Sequence, residues 1–91
     1  MDAFDRILER TSKETQRQVD KNLAIANRII EILKSQNRTQ RDLAQLLSKS
    51  ESEISKWLTG LHNFEIRTIY KIENVLGAEV IQVIGSNSIA A

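Results

Sequence analysis

The chain has 91 residues and no cysteine, which leaves room for one hydrophobic core and excludes disulfides and thiolate metal sites. Apolar residues make up 41% of it, proline is absent, and glycine occurs three times, so packed helices with short connections are expected rather than a sandwich or barrel. The net charge of +1 speaks against a non-specific polycation.

The N-terminus, Met1-Asp2-Ala3-Phe4-Asp5, carries acidic residues where a secretion signal carries basic ones. No apolar run approaches the ~20 residues of a membrane span, so a cytoplasmic protein with no membrane partner is expected. Phe4, Ile7 and Leu8 sit at helical spacing in a short first segment. Thr11-Ser12-Lys13-Glu14 then has the form of a capping box, which predicts a longer helix from Thr11 to about Gln36. Val19, Leu23, Ala26, Ile30 and Leu33 recur along it at steps of four and three, and Ile25, Ile29 and Ile32 widen the stripe. This stripe is too short for an independent coiled coil, so it should pack on its own domain, with its first half a candidate dimer contact.

Asn37 and Arg38 break the pattern, and Thr39 offers an N-cap to a short helix with Leu43, Ala44, Leu46 and Leu47 on its apolar face. After a polar turn, Ser50 caps a further helix with Ile54, Trp57 and Leu58 inward and Gly60 at its end. A loop from Leu61 to Glu65 leads to a last helix, Ile66 to Leu76, closed by Gly77. Val80 to Ile84 is β-prone and could form a short C-terminal strand, and Gly85 to Ala91 reads as a frayed tail. The expected organisation is a helical extension over 1–24, a helix-turn-helix domain over 25–78, and a strand and tail over 79–91.

Two short helices joined by a polar turn have the sequence form of a helix-turn-helix. Ala44 supplies the small residue that close packing of the pair requires, and larger groups there should clash. At 100° per residue, Ile54, Trp57 and Leu58 fall on one side of the second helix and Ser52, Ser55, Lys56 and Thr59 on the other. Short hydroxyls let a backbone approach base edges, and one longer cation can reach a guanine or a phosphate. A solvated helix face looks similar. Charge leaves both readings open: residues 34–71 hold seven basic and four acidic side chains whereas residues 1–33 hold six of each, an excess that small numbers also produce. Glu51 suits the dipole of the first turn or could accept from a cytosine amine, and Glu53 can pair with Lys49 or Lys56.

Thr39-Gln40, Leu43-Ala44, Ile54-Ser55, Trp57 and Gly60, followed by Thr68, Ile69, Ile72, Leu76 and Gly77, resemble the Cro/C1-type (XRE, phage repressor-like) helix-turn-helix family over residues 25–78. The run from Ser52 to Leu58, with His62-Asn63-Phe64 after it, is similar to a subgroup with an extra N-terminal helix. The resemblance implies an all-α, lambda-repressor-like bundle of about five helices, binding as a homodimer to double-stranded operator DNA with two related half-sites. It implies phosphate contacts for Thr39 and Gln40. It further implies base and backbone contacts for Ser50, Glu51, Ser52, Ser55 and Lys56, and loop contacts for Thr59, His62 and Asn63. Ser48 departs from the pattern, since the family usually has glycine in that turn.

The function these readings imply is a repressor-like transcriptional regulator. The alternative is an antitoxin that represses its own operon and binds a toxin through the segment Phe4, Ile7, Leu8 or through Val80 to Ile84, the latter by adding a strand to a sheet edge. A third reading keeps the fold as an interaction module without nucleic acid. His62 has no cysteine or second histidine beside it, and Glu51 and Glu53 point apart on their helix, so no enzyme, metal or cofactor is expected. Trp57 is expected in the core or at its rim rather than as a stacking platform for bases.

Overall fold

The computed structural model describes residues 2–85, and these form four helices in the order α1 (Ala3–Ser35), α2 (Gln40–Leu47), α3 (Glu51–Trp57) and α4 (Ile66–Leu76). The all-α class therefore stands, with four helices among the described residues rather than five. α1 runs through position 24 without a break, so the N-terminal extension and the first helix of the bundle are one element.

Thr11 does not begin a helix. Its hydroxyl donates to the carbonyl of Ile7 at 2.9 Å, one turn back inside α1, and the cap of the helix is Asp2, whose carboxylate accepts from the Asp5 amide at 2.9 Å. A Ser/Thr-x-x-Glu spacing cannot by itself stop the helix that precedes it, and no glycine or proline does so here. Ion pairs bridge the would-be junction: Arg10 with Glu14 at 3.0 Å and Lys13 with Glu9 at 3.2 Å. Both are solvated and add only a few tenths of a kcal/mol each, but they act in the same direction as the uninterrupted helix-forming sequence.

α1 ends where Asn37 turns left-handed (φ 53°), its amide donating to Lys34 and that of Arg38 to Leu33 at 2.9 Å. The following side chains tie this corner to the far end of the chain. Gln36 Nε2 donates to the Leu76 carbonyl at 2.7 Å, and Arg38 reaches the Val75 carbonyl at 3.4 Å.

The core gathers one stripe from each helix: Ala26, Ile29 and Leu33 of α1, Leu43 and Ala44 of α2, Ile54 and Trp57 of α3, and Ile69, Ile72 and Leu76 of α4. It begins at Asn22, which is buried; every residue from Asp2 to Lys21 is exposed. Gly60 does not cap α3, which already ends at Trp57. Instead it takes a positive φ of 87° and is buried against Leu23, where an added Cβ would lie 2.6 Å from Leu23 Cδ1.

Residues 80–84 form no strand, and no strand occurs among the described residues. β-propensity needs a neighbouring strand to act on, and none exists here. The Glu73 carboxylate takes the place of a partner strand at the start of the run, accepting from the amides of Val80 at 2.8 Å and Ile81 at 3.1 Å. Arg28 of α1 donates to the Glu79 carbonyl at 3.0 Å, so this segment is held to both α1 and α4. The frayed tail expected after Gly85 lies outside the described residues.

Candidate nucleic-acid interface

α2 starts with a complete capping box. The Thr39 hydroxyl oxygen accepts from the Asp42 amide at 3.1 Å, and the Asp42 carboxylate accepts from the Thr39 amide at 2.8 Å. The Thr39 backbone and side-chain hydrogen bonds, reinforced by the nearby charges of Arg38 and Arg41, hold the Asp42 carboxyl below its ordinary pKa. Thr39 is exposed and Gln40 half-buried at this corner.

Between α2 and α3 the chain turns at Ser48, which is left-handed with φ 55° and ψ 44°. Its amide donates to Gln45 at 3.2 Å and the Lys49 amide to Ala44 at 2.9 Å, satisfying two carbonyls at the end of α2. Serine thus occupies the position where the resemblance expects glycine, without loss of the turn. Ala44, buried at 3% exposure, belongs to the same core cluster as Ile54 and Trp57 of α3.

Ser50 begins α3, its hydroxyl oxygen accepting from the Glu53 amide at 3.1 Å. Ile54 is fully buried and Trp57 nearly so, and these two fix the rotation of the helix. Ser52, Ser55, Lys56 and Thr59 are consequently exposed, as are Ser50 and Glu51. Lys56 makes no ion pair among the described residues. Thr59 is partly committed: its hydroxyl donates to the Lys56 carbonyl at 2.8 Å and accepts from the Leu61 amide at 3.2 Å, ordering the chain that leaves α3.

His62 is half-buried, not free in its loop. Its ring stacks on Trp57 with centroids 5.6 Å apart and meets Phe64 edge-on at 4.8 Å. This packing sets the path of the loop, while Asn63 beside it stays exposed. Trp57 is inside the protein and offers no face to a base. The residue that sequence reasoning did not place at the site is Lys49. It pairs with Glu53 at 3.2 Å and lies 5.8 Å from the centre of the Trp57 ring, so a cation stands beside the start of α3 with Glu53 already partly neutralised. Of the two partners that the sequence offers Glu53, Lys49 and Lys56, the structure pairs it with Lys49.

Two short helices packed through a small residue, joined by a left-handed turn and followed by an anchored loop, define a helix-turn-helix protein. Residues 29–81, more than half of the chain, match the Cro/C1-type helix-turn-helix family, and the chain belongs to that family. No curated protein and no solved structure matches the chain closely enough to set beside it. Among the described residues no helix is long and apolar enough to cross a membrane.

Proposed function

We propose that this protein is a sequence-specific, repressor-like transcriptional regulator that reads double-stranded operator DNA as a homodimer in the cytoplasm. The observation that carries this reading is the outward face of α3. Ser52, Ser55, Lys56 and Thr59 are exposed there because Ile54 and Trp57 are buried on the opposite side, in a chain of the helix-turn-helix family. Small hydroxyls allow the helix to enter a major groove, and Lys56 can reach a guanine edge or a phosphate. Thr39, Gln40 and Asn63 lie at the two ends of the motif, where phosphate contacts would fix its register. No catalytic step is part of this reading.

Selection of bound fragments from genomic DNA, with affinity measured at several salt concentrations, tests it. A specific site should emerge, and Lys56→Ala should weaken binding to it by ~1–3 kcal/mol. Retention of no DNA at low ionic strength would overturn the reading. An antitoxin that also represses its own operon is the second reading, favoured by the exposed Phe4, Ile7 and Leu8. A stoichiometric complex with the product of a neighbouring gene that is toxic when expressed alone would select it.

A further inference from the structure

Side chains along the first half of α1 divide by charge. Every ionisable residue from Arg6 to Lys21 lies on one side of the helix, whereas Phe4, Leu8, Ser12, Thr15, Val19 and Leu23 follow one another along the other at steps of four and three. Phe4, Leu8 and Leu23 are 65%, 52% and 44% exposed. Half of the charges opposite pair within the helix, Arg10 with Glu14 and Lys13 with Glu9. The uncharged side offers nothing to a phosphate backbone or a strongly charged partner and calls for an apolar occupant.

Where this stripe ends identifies the occupant. From Asn22 onward the same face of α1 is covered by the chain's own α2 to α4, with Ala26, Ile29 and Leu33 buried and Gly60 pressed against Leu23. Two copies laid parallel through this stripe would collide, because each domain claims the side of the helix on which the other copy must lie. Laid antiparallel, each helix fills the free length of the other and stops where the domain begins. Phe4 of one copy then meets Leu23 of the other, Leu8 meets Val19, and Ser12 meets Thr15. Large apolar groups pair at both ends, and small hydroxyls meet at the twofold axis, where they let the backbones approach.

We propose that the first half of α1 is a dimerisation arm that pairs antiparallel with the same segment of a second copy, about an axis between Lys13 and Glu14. This deepens the homodimer of the proposed regulator by naming its interface. It is measured without DNA, so its failure leaves operator reading by α3 untouched, and the converse holds.

Sedimentation equilibrium of the full chain reads the first half of the claim. Wild type should dimerise at micromolar concentration, and Leu8→Glu should raise the dissociation constant by about 100-fold, since pairing would bury a carboxylate. Leu8 touches no part of the core, and circular dichroism would verify that the variant stays folded. Arg17→Glu, on the charged side, should dimerise as wild type does. Orientation is read by mixing Leu8→Cys chains with Val19→Cys chains, because the protein has no cysteine of its own. Antiparallel arms bring unlike thiols together and hold like thiols about 16 Å apart along the helix, too far for a disulfide. A chain that stays monomeric at every concentration, a Leu8→Glu protein that dimerises undiminished, or oxidation that joins like chains in preference overturns the proposal.

Discussion

Ser48 carries a conformation that its side chain disfavours. A left-handed serine costs ~1 kcal/mol relative to glycine, and at this corner the cost stands because both turn amides, those of Ser48 and Lys49, must reach carbonyls of α2. Ser48→Gly should therefore raise unfolding free energy by ~1 kcal/mol and the melting temperature by a few degrees, read by thermal denaturation. An unchanged or lowered midpoint would mean that the serine makes a compensating contact. The core residues around this turn were legible in the sequence, since Leu43, Ala44, Ile54 and Trp57 stand at helical spacing and are buried, but Leu46, expected on the same apolar face, is exposed. The hydrogen-bonding residues were legible in part: Thr39 and Ser50 cap α2 and α3 as their positions predict, whereas Thr11 caps nothing. Thr11 and Thr39 have the same local signature, and what separates them is the preceding backbone, which is helical before Thr11 and turned at Asn37 before Thr39. Gly60 was equally ambiguous, since a glycine needed for a close approach to Leu23 is indistinguishable in sequence from one that ends a helix.

At the scale of elements, the start of α2 depends on an ionised side chain within its capping box. The Asp42 carboxylate accepts from the Thr39 amide, and its depressed pKa means that the folded state favours its charged form. The sign follows directly: the stabilisation is present at neutral pH, above the unfolded-state pKa, and is lost as the pH falls below about 4 and on through the folded-state value. Wild type and Asp42→Ala should accordingly differ in melting temperature at pH 7 and converge as the pH approaches 2, compared by calorimetry across that range. A difference that did not narrow would place the contribution of Asp42 in packing. The strand expected at residues 80–84 shows the opposite limit of element-level reading. Local preference named a conformation, but the fold supplies a carboxylate from Glu73 where a neighbouring strand would have to stand.

At the scale of the whole molecule, stability is unevenly distributed. Among the described residues all buried side chains lie at or after Asn22, while the first half of α1 is held by its own backbone and by solvated i,i+4 pairs. Below the concentration at which chains associate, backbone amides before Lys21 should exchange with solvent far faster than those of Ile29 to Leu33, whose opening requires the core to come apart. Equal protection in both halves would show that the first half packs on something within the single chain. The class of the protein was legible because the helix-turn-helix lies where each element buries one face. Less was legible about α1, whose outer stripe and inner stripe look alike in sequence and differ only in whether α2 to α4 reach them.

The absence of any hinge in α1 has a mechanical consequence. Because the same rod carries the outer segment at one end and is clamped by Ala26, Ile29 and Leu33 at the other, its orientation relative to α3 is fixed by the core. The free span is about 30 Å long, so a tilt of about 5° at the clamped end displaces the tip by roughly 3 Å. Whatever grips that tip therefore works with leverage on α3, and torque applied far from the double helix can bring its reading surfaces into or out of phase with the groove.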